Sequence, residues 1–367
     1  MATRTPAAVP SQAIGVAADG QLPLPWLGEA LASSAKLSGA HALLIHGPAG
    51  AGHFDFAVLL AQSWLCEARP IARRACGQCA SCHLVATRAH PDLRLVLPAA
   101  LRVERGWIDE DDYIPPKGEA KPSRDIRIDQ IRLAKDWAQQ TSGRGRGKVM
   151  VVHPADALNV PAANALLKTL EEPPGTLRLL LTSADPERLL PTVRSRCQRL
   201  PLGLPPMDQA GAWLRAQGLH EPGPLLALAG GSPLEALAWA SEGLSATLLA
   251  DIPRRVAAGD ASPLLGRPIP RVVDLLLKLA HDAQVLAVGG APRFYAAAHL
   301  PSGVDLTALR LWQATLLRTA RHDEHPWSAA LLIESLVTQA TAVWPDAGRR
   351  APAQAPARGA ASLHSTR

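Results

Sequence analysis

Aromatic rings other than tryptophan are scarce: the 367 residues hold three Phe and two Tyr. With heavy leucine and alanine usage, that scarcity excludes an all-β sandwich and favours helical packing. Long apolar runs are missing too. A spanning helix needs about eighteen uncharged apolar residues. The best candidate, 272–291, is broken by Asp274, Lys278, His281 and Asp282. Arg4 is followed by no apolar block, which argues against a secretory signal and for a cytoplasmic protein. The excess of one charge sign is small, since 38 basic against 32 acidic side chains leave +6. Contact with nucleic acid is permitted by that balance, not demanded. A hydrophobic share of 47% excludes a wholly disordered chain.

What is present falls into two halves. Residues 1–20 read as a mobile leader, and 347–367, with four Arg and repeated Ala-Pro, as a disordered basic tail that solubilises. Between them, short apolar runs at 41–46, 93–97, 148–152 and 177–181 read as strands. They alternate with helical patterns, including 126–140 (Ile128, Ile131, Leu133 and Trp137 inward) and 159–172. That alternation predicts βαβ units and a parallel sheet over 21–204, interrupted by a Pro-rich, charged surface excursion at 99–124. Beyond Pro206 strand signals vanish. A small helical domain is expected at 205–246 and a larger one at 247–346, with a short helix at 245–250 stopped by Pro253. The fold class is thus α/β plus all-α.

One turn looks like a phosphate-binding loop that has lost its chemistry. Gly47-Pro48-Ala49-Gly50-Ala51-Gly52 joins a strand to a helix. Backbone N–H groups in such a loop cradle phosphates, a following Lys reaches the β/γ-phosphates, and Ser/Thr holds Mg²⁺. Here those two positions are His53, mostly neutral at pH 7, and Phe54, which cannot ligate a metal. The acidic pair expected after the third strand is His153 and Pro154. The scaffold is therefore that of a nucleotide-binding fold without hydrolysis, and no ATP or Mg²⁺ turnover is expected in cis.

Four of the five cysteines, Cys66, Cys76, Cys79 and Cys82, lie within one short stretch. This spacing in a large chain argues for metal rather than disulfides. Four thiolates close a tetrahedron and leave no place for water, so the site is structural and Zn²⁺ is the metal expected. A ferredoxin-type run would need a further Cys at Ala86. His83 and His90 are spare ligands. An open catalytic zinc or a redox dithiol has no support in a full four-sulfur set.

Three further motifs complete the pattern: Ile128-Asp129-Gln130-Ile131-Arg132, Asn164-Ala-Leu-Leu-Lys-Thr-Leu-Glu-Glu-Pro-Pro174 and Ser195-Arg196-Cys197. With the degenerate loop and the cysteine insertion, they make the chain resemble the bacterial clamp-loader AAA+ family over roughly 20–345. That resemblance implies an AAA+ domain with an inserted zinc module (66–82), a helical lid (205–246) and a helical collar for oligomerisation (247–346). It implies a hetero-pentamer with gamma/tau and delta subunits in the DNA polymerase III holoenzyme of the bacterial replisome. Such a complex loads the sliding clamp on primer-template DNA, and polymerase activity belongs to the whole assembly. The lost nucleotide residues match a non-hydrolysing, stator-like member; the alternative is a divergent ATP-hydrolysing gamma/tau-type subunit. The same resemblance makes Arg196 an arginine finger offered in trans to ATP on gamma/tau. It puts Thr182 at the first sensor position and Leu234, in Gly231-Ser232-Pro233-Leu234, where an active member has the second sensor Arg. The basic residues Arg124, Arg127, Arg132, Arg144, Arg146 and Lys148 are candidates for phosphate contact.

Overall fold

The computed structural model describes residues 14–34, 37, 39–70, 74–107, 121–321 and 328–346. Its centre is one parallel sheet of β1 (Ala42–His46), β2 (Leu93–Val96), β3 (Lys148–Val152), β4 (Leu177–Ser183) and β5 (Gln198–Pro201), ordered β2-β3-β4-β1-β5. The first four strands match the apolar runs. The fifth was not foreseen, because Gln198-Arg199-Leu200-Pro201 has one aliphatic residue and lies at the sheet edge beside β1, where proline is tolerated.

A period of two divides each central strand between two cores. Leu43, Ile45, Val149, Val151 and Leu180 face one cluster, and Ala42, Leu44, Met150, Val152, Leu179 and Leu181 the other. The first cluster takes residues from α1 (Leu27–Ser34), α2 (His53–Leu65), α3 (Ala80–Ala86) and α4 (Ala99–Glu104). The second takes them from α5 (Ile128–Gln139), α6 (Val160–Glu171) and α7 (Pro191–Arg194). Helix α6 starts where Asn159 Oδ1 accepts the Ala162 N–H at 2.9 Å, and it stops before Pro173-Pro174. Helices α8 (Met207–Ala216), α9 (Pro222–Leu228), α10 (Pro233–Ser241), α11 (Ala246–Ala257), α12 (Ile269–Ala287), α13 (Leu306–Ala320) and α14 (Ala329–Ala340) follow.

The chain divides into two compact units: residues through His220 plus Gly231–Ala238, and Glu221–Gly230 plus those from Trp239 onward. In the second, Trp312 and Trp344 meet edge to face at 5.9 Å, and the Trp312 indole donates to the Leu336 carbonyl. Asp282 is fully buried and accepts the backbone N–H groups of Arg293, Phe294 and Tyr295.

Four expectations need correction. The leader is not mobile throughout: Ile14 and Val16 are buried in the first core, while 1–13, like the basic tail 347–367, lie outside the described residues. The excursion begins as helix α4 and returns through the buried Trp107, with 108–120 outside the described residues. Leu133 is exposed, because α5 turns Gln130, Ile131, Ala134, Trp137 and Ala138 inward. Pro253 does not stop a helix. An interior proline costs about 3 kcal/mol, but α11 buries Leu249, Ile252 and Val256 around it, each worth about 1.5–3 kcal/mol.

Candidate functional site

Loop 47–52 bends tightly between β1 and α2, with φ of 73° at Gly50 and 94° at Gly52, a region that favours glycine. Its glycines have no room for side chains. A Cβ on Gly47 would lie 1.9 Å from the Leu202 carbonyl oxygen, and one on Gly50 1.9 Å from Ser232 Oγ. Trp26 Nε1 donates to the Ala51 carbonyl at 3.0 Å and fixes the loop from the other side. Leu234, beside Ser232, packs against the first core instead of reaching toward a phosphate.

The position of the magnesium ligand is filled. Phe54 is buried, its ring 5.0 Å from His153 and 5.8 Å from Trp107. The Arg105 guanidinium lies 4.5 Å over Phe54 and 5.2 Å from Trp107, and Arg88 covers Trp107 at 4.6 Å. Cation and ring alternate from Arg88 to Phe54, each of these contacts favourable once desolvated, and His153 adds a ring-on-ring contact at the end. Sequence reading missed Arg105 and Trp107; the available signal was a lone tryptophan in a polar stretch. Burial lowers the basicity of His53, and its Nε2 has no hydrogen-bond partner among the described residues.

His153 and Pro154 follow β3 as read. His153 Nδ1 meets Thr182 Oγ1 at 2.6 Å, so the first sensor position is engaged in the protein interior. Loss of water and the Arg105 charge push the His153 imidazole down to about 3. The unfolded imidazole takes its proton near 6.5 and the native one only near 3, so protons favour the unfolded chain across that window. The stability tied to neutral His153 is complete above 6.5 and is lost as pH falls. The urea midpoint is expected to drop between pH 7.5 and pH 5 and to drop less in His153→Gln; equal slopes in the two proteins would contradict this.

Restoring the missing residue types with His53→Lys and Phe54→Thr is expected to cost about 3 kcal/mol, as for other large-to-small core changes. Single-turnover assays should still find no ATP hydrolysis, because the acidic pair stays absent. Denaturant unfolding measures the first effect, and turnover by the isolated variant would refute the second.

The four cysteines converge. Their sulfurs all lie within 4.8 Å of one another, with Cys66–Cys79 at 3.9 Å and Cys76–Cys82 at 3.8 Å. Cys66 ends α2, and Cys79 caps α3. Backbone N–H groups of Gln78 and Cys79 point at Cys76 Sγ, at 3.4 and 3.3 Å. Burial raises the Cys79 thiol, but hydrogen bonds led by the Cys82 amide outweigh it and bring it down to about 6. The set fits a metal ion, because four soft donors share one centre and the chain supplies amides to stabilise thiolate charge. Gly77, φ 76°, lets Ala17 approach: its Cβ would lie 2.1 Å from the Ala17 carbonyl oxygen. The strap from Ile14 is tied down by Gln62, which accepts the Val16 N–H at 2.6 Å and donates to the Cys82 carbonyl.

Neither spare histidine joins the cluster. His83 is exposed. Ser81 Oγ donates to the Leu65 carbonyl and lies 2.7 Å from His90 Nε2, while His90 Nδ1 accepts the Asp92 N–H. With both other hydrogens committed, the His90 proton sits on Nε2.

The basic stretch separates into two sets. Arg144 donates to Glu67 at 2.7 Å, Arg146 to the Glu67 and Arg69 carbonyls, and buried Lys148 pairs with Asp92 and lies 4.3 Å over Trp137. Arg124, Arg127 and Arg132 are exposed around the start of α5. Arg196 follows α7. Its Nε donates to Glu171 Oε1 at 2.8 Å and its Nη1 to the Thr192 carbonyl at 2.8 Å.

Residues 29–205 match a family model described as DNA polymerase III, delta subunit. The DNA polymerase III subunit delta' of Pseudomonas aeruginosa is 42% identical over 204 residues, 54% of this chain and 55% of that protein. The α/β region is thus similar to DNA polymerase III delta' subunits. The delta' subunit of Escherichia coli strain K12 is 35% identical over 221 residues, 58% of this chain and 60% of that protein. The E. coli subunit tau is 29% identical over 253 residues, 68% of this chain but 33% of tau. The matched stretches span little more than half the length of these delta' relatives. Among the described residues no helix is long and apolar enough to cross a membrane.

Proposed function

We propose that this chain is the non-hydrolysing, delta'-type subunit of a DNA polymerase III clamp loader. The observation that carries the reading is the filled phosphate loop: Phe54, packed between Arg105 and His153, occupies the position that an ATPase gives to its magnesium ligand. A protein of this kind keeps the nucleotide-binding scaffold and contributes shape and partner contacts instead of turnover. Its partners are gamma/tau and delta subunits in a hetero-pentamer, acting with the sliding clamp on primer-template DNA. Residues 205–246 serve as the lid and 247–346 as the collar.

The metal is Zn²⁺, held by Cys66, Cys76, Cys79 and Cys82, and it supplies cross-linking energy where the insertion has little core of its own. Arg196 reaches in trans toward ATP on the neighbouring gamma/tau subunit, where a permanently charged guanidinium stabilises charge developing on the transferred phosphoryl group. Phosphate contact with DNA falls to the exposed Arg124, Arg127 and Arg132, of which Arg132 pairs only with the exposed Asp129 at 3.7 Å, since the other three basic side chains of the stretch bind partners distant in their own chain.

The test is reconstitution. The purified chain, mixed with gamma/tau and delta, should co-elute as one complex on gel filtration, and that complex should load the clamp on primed DNA. Alone, the chain should not hydrolyse ATP. Failure to co-elute, or turnover by the isolated chain, overturns the reading.

A further inference from the structure

Guanidinium groups on long side chains are rarely held in one orientation at a surface, yet Arg196 is held by three contacts. Its Nε and Nη2 donate to the same Glu171 oxygen, and Nη1 donates to the Thr192 carbonyl. A guanidinium has five N–H donors in one plane. Three are used within the chain, which leaves one N–H on each of Nη1 and Nη2. Those two remain to donate to oxygens of a phosphate.

The two anchors come from different elements. Glu171 is the last residue of α6, and Thr192 lies in α7, four residues before Arg196. Helices α6 and α7 pack through buried Leu166, Leu170 and Val193 in the second core, so both anchors rest on a rigid base. The ion pair itself stays accessible, with the Arg196 side chain 35% and the Glu171 side chain 49% exposed.

We infer that Glu171 is a positioning residue for Arg196: with the Thr192 carbonyl it fixes the plane of the guanidinium and leaves one N–H on each of Nη1 and Nη2 for the terminal phosphate of a nucleotide on an adjacent subunit. This rests on the trans role proposed above for Arg196. Glu171 does not touch the phosphate. It removes the orientational search that a free arginine would face, which is an entropic contribution to the rate.

The experiment uses the full chain reconstituted with its partner subunits, clamp and primed DNA, and measures steady-state ATP hydrolysis for Arg196→Ala, Glu171→Ala, Glu171→Gln and the double variant Glu171→Ala/Arg196→Ala. Glu171→Ala is expected to lower kcat about fivefold, the upper range for one exposed ion pair, with KM for ATP unchanged because orientation matters in the transition state. Glu171→Gln keeps an acceptor oxygen and should recover part of the loss. The double variant should equal Arg196→Ala alone. Wild-type or raised kcat in Glu171→Ala overturns the inference, as does a double variant with additive losses. If Glu171→Ala fails to assemble, Glu171→Gln carries the same comparison, a normal kcat again counting against. Should Arg196→Ala itself hydrolyse normally, the trans finger fails first, and the two failures are distinguished.

Discussion

Arg196→Ala is expected to cut ATP hydrolysis at the site it faces by about 10³-fold, the lower range for removal of an arginine finger, while the complex still assembles. The contact forms fully only as charge spreads over the transferred phosphoryl group, so the loss should appear in kcat and leave KM for ATP nearly unchanged. Folding should tolerate the change. The ion pair with Glu171 is half-exposed and contributes at most about 1 kcal/mol, and no core residue depends on it. Arg196→Lys should not rescue, because an ammonium cannot present a planar fork while also bonding Glu171. The effect should hold from pH 6 to pH 9, since arginine stays charged throughout. Steady-state ATPase with clamp and primed DNA, with gel filtration as the check on assembly, measures it. A complex that hydrolyses at the wild-type rate removes Arg196 from the chemistry and leaves the chain as scaffold only.

Much of this site could be read from the sequence, and the reasons differ by residue. The loop was legible because strand, glycines and helix leave a local signature, and the losses at His53, Phe54, His153 and Pro154 are single positions with a defined chemistry. The four cysteines were legible for the same reason. The residues that complete the loop were not, because they arrive from far along the chain. Arg105 and Trp107 enter from a stretch whose polarity suggested solvent, and Arg88 joins them from just past α3. Strand β5 was missed because an edge strand needs few apolar residues when its pairing with β1 supplies the hydrogen bonds. The leader was misread for a related reason: Ile14 and Val16 are isolated apolar residues, and their burial depends on Gln62 and Gly77, which no local pattern reveals. The basic stretch shows the opposite error. Arg144, Arg146 and Lys148 read as candidates for phosphate contact, and the acceptors that hold them, Glu67, the Arg69 carbonyl and Asp92, are distant in sequence.

Loss of the metal should have the largest effect on stability. One zinc per chain is expected by elemental analysis, with four sulfurs in its first coordination sphere by X-ray absorption. Cys82→Ser, or treatment with a strong chelator, is expected to lower stability by at least about 5 kcal/mol, against apparent binding energies of about 10–16 kcal/mol in isolated zinc peptides. The reduction from those values follows from geometry. Gln62 and Ser63 are anchored in α2, and Ser81 holds the Leu65 carbonyl, so part of the insertion keeps its place without metal. The strap does not. Val16 depends on Gln62, which also binds the Cys82 carbonyl, and Gly77 lies under Ala17. Hydrogen exchange should therefore rise first at Val16, Cys79 and Cys82 and only later in β1 and β4. Cys197→Ala serves as the control: that thiol donates to the Val193 carbonyl in the second core and should leave the metal content unchanged. A chain that binds no metal, or whose four cysteines pair as two disulfides when purified under reducing conditions, would refute the zinc module.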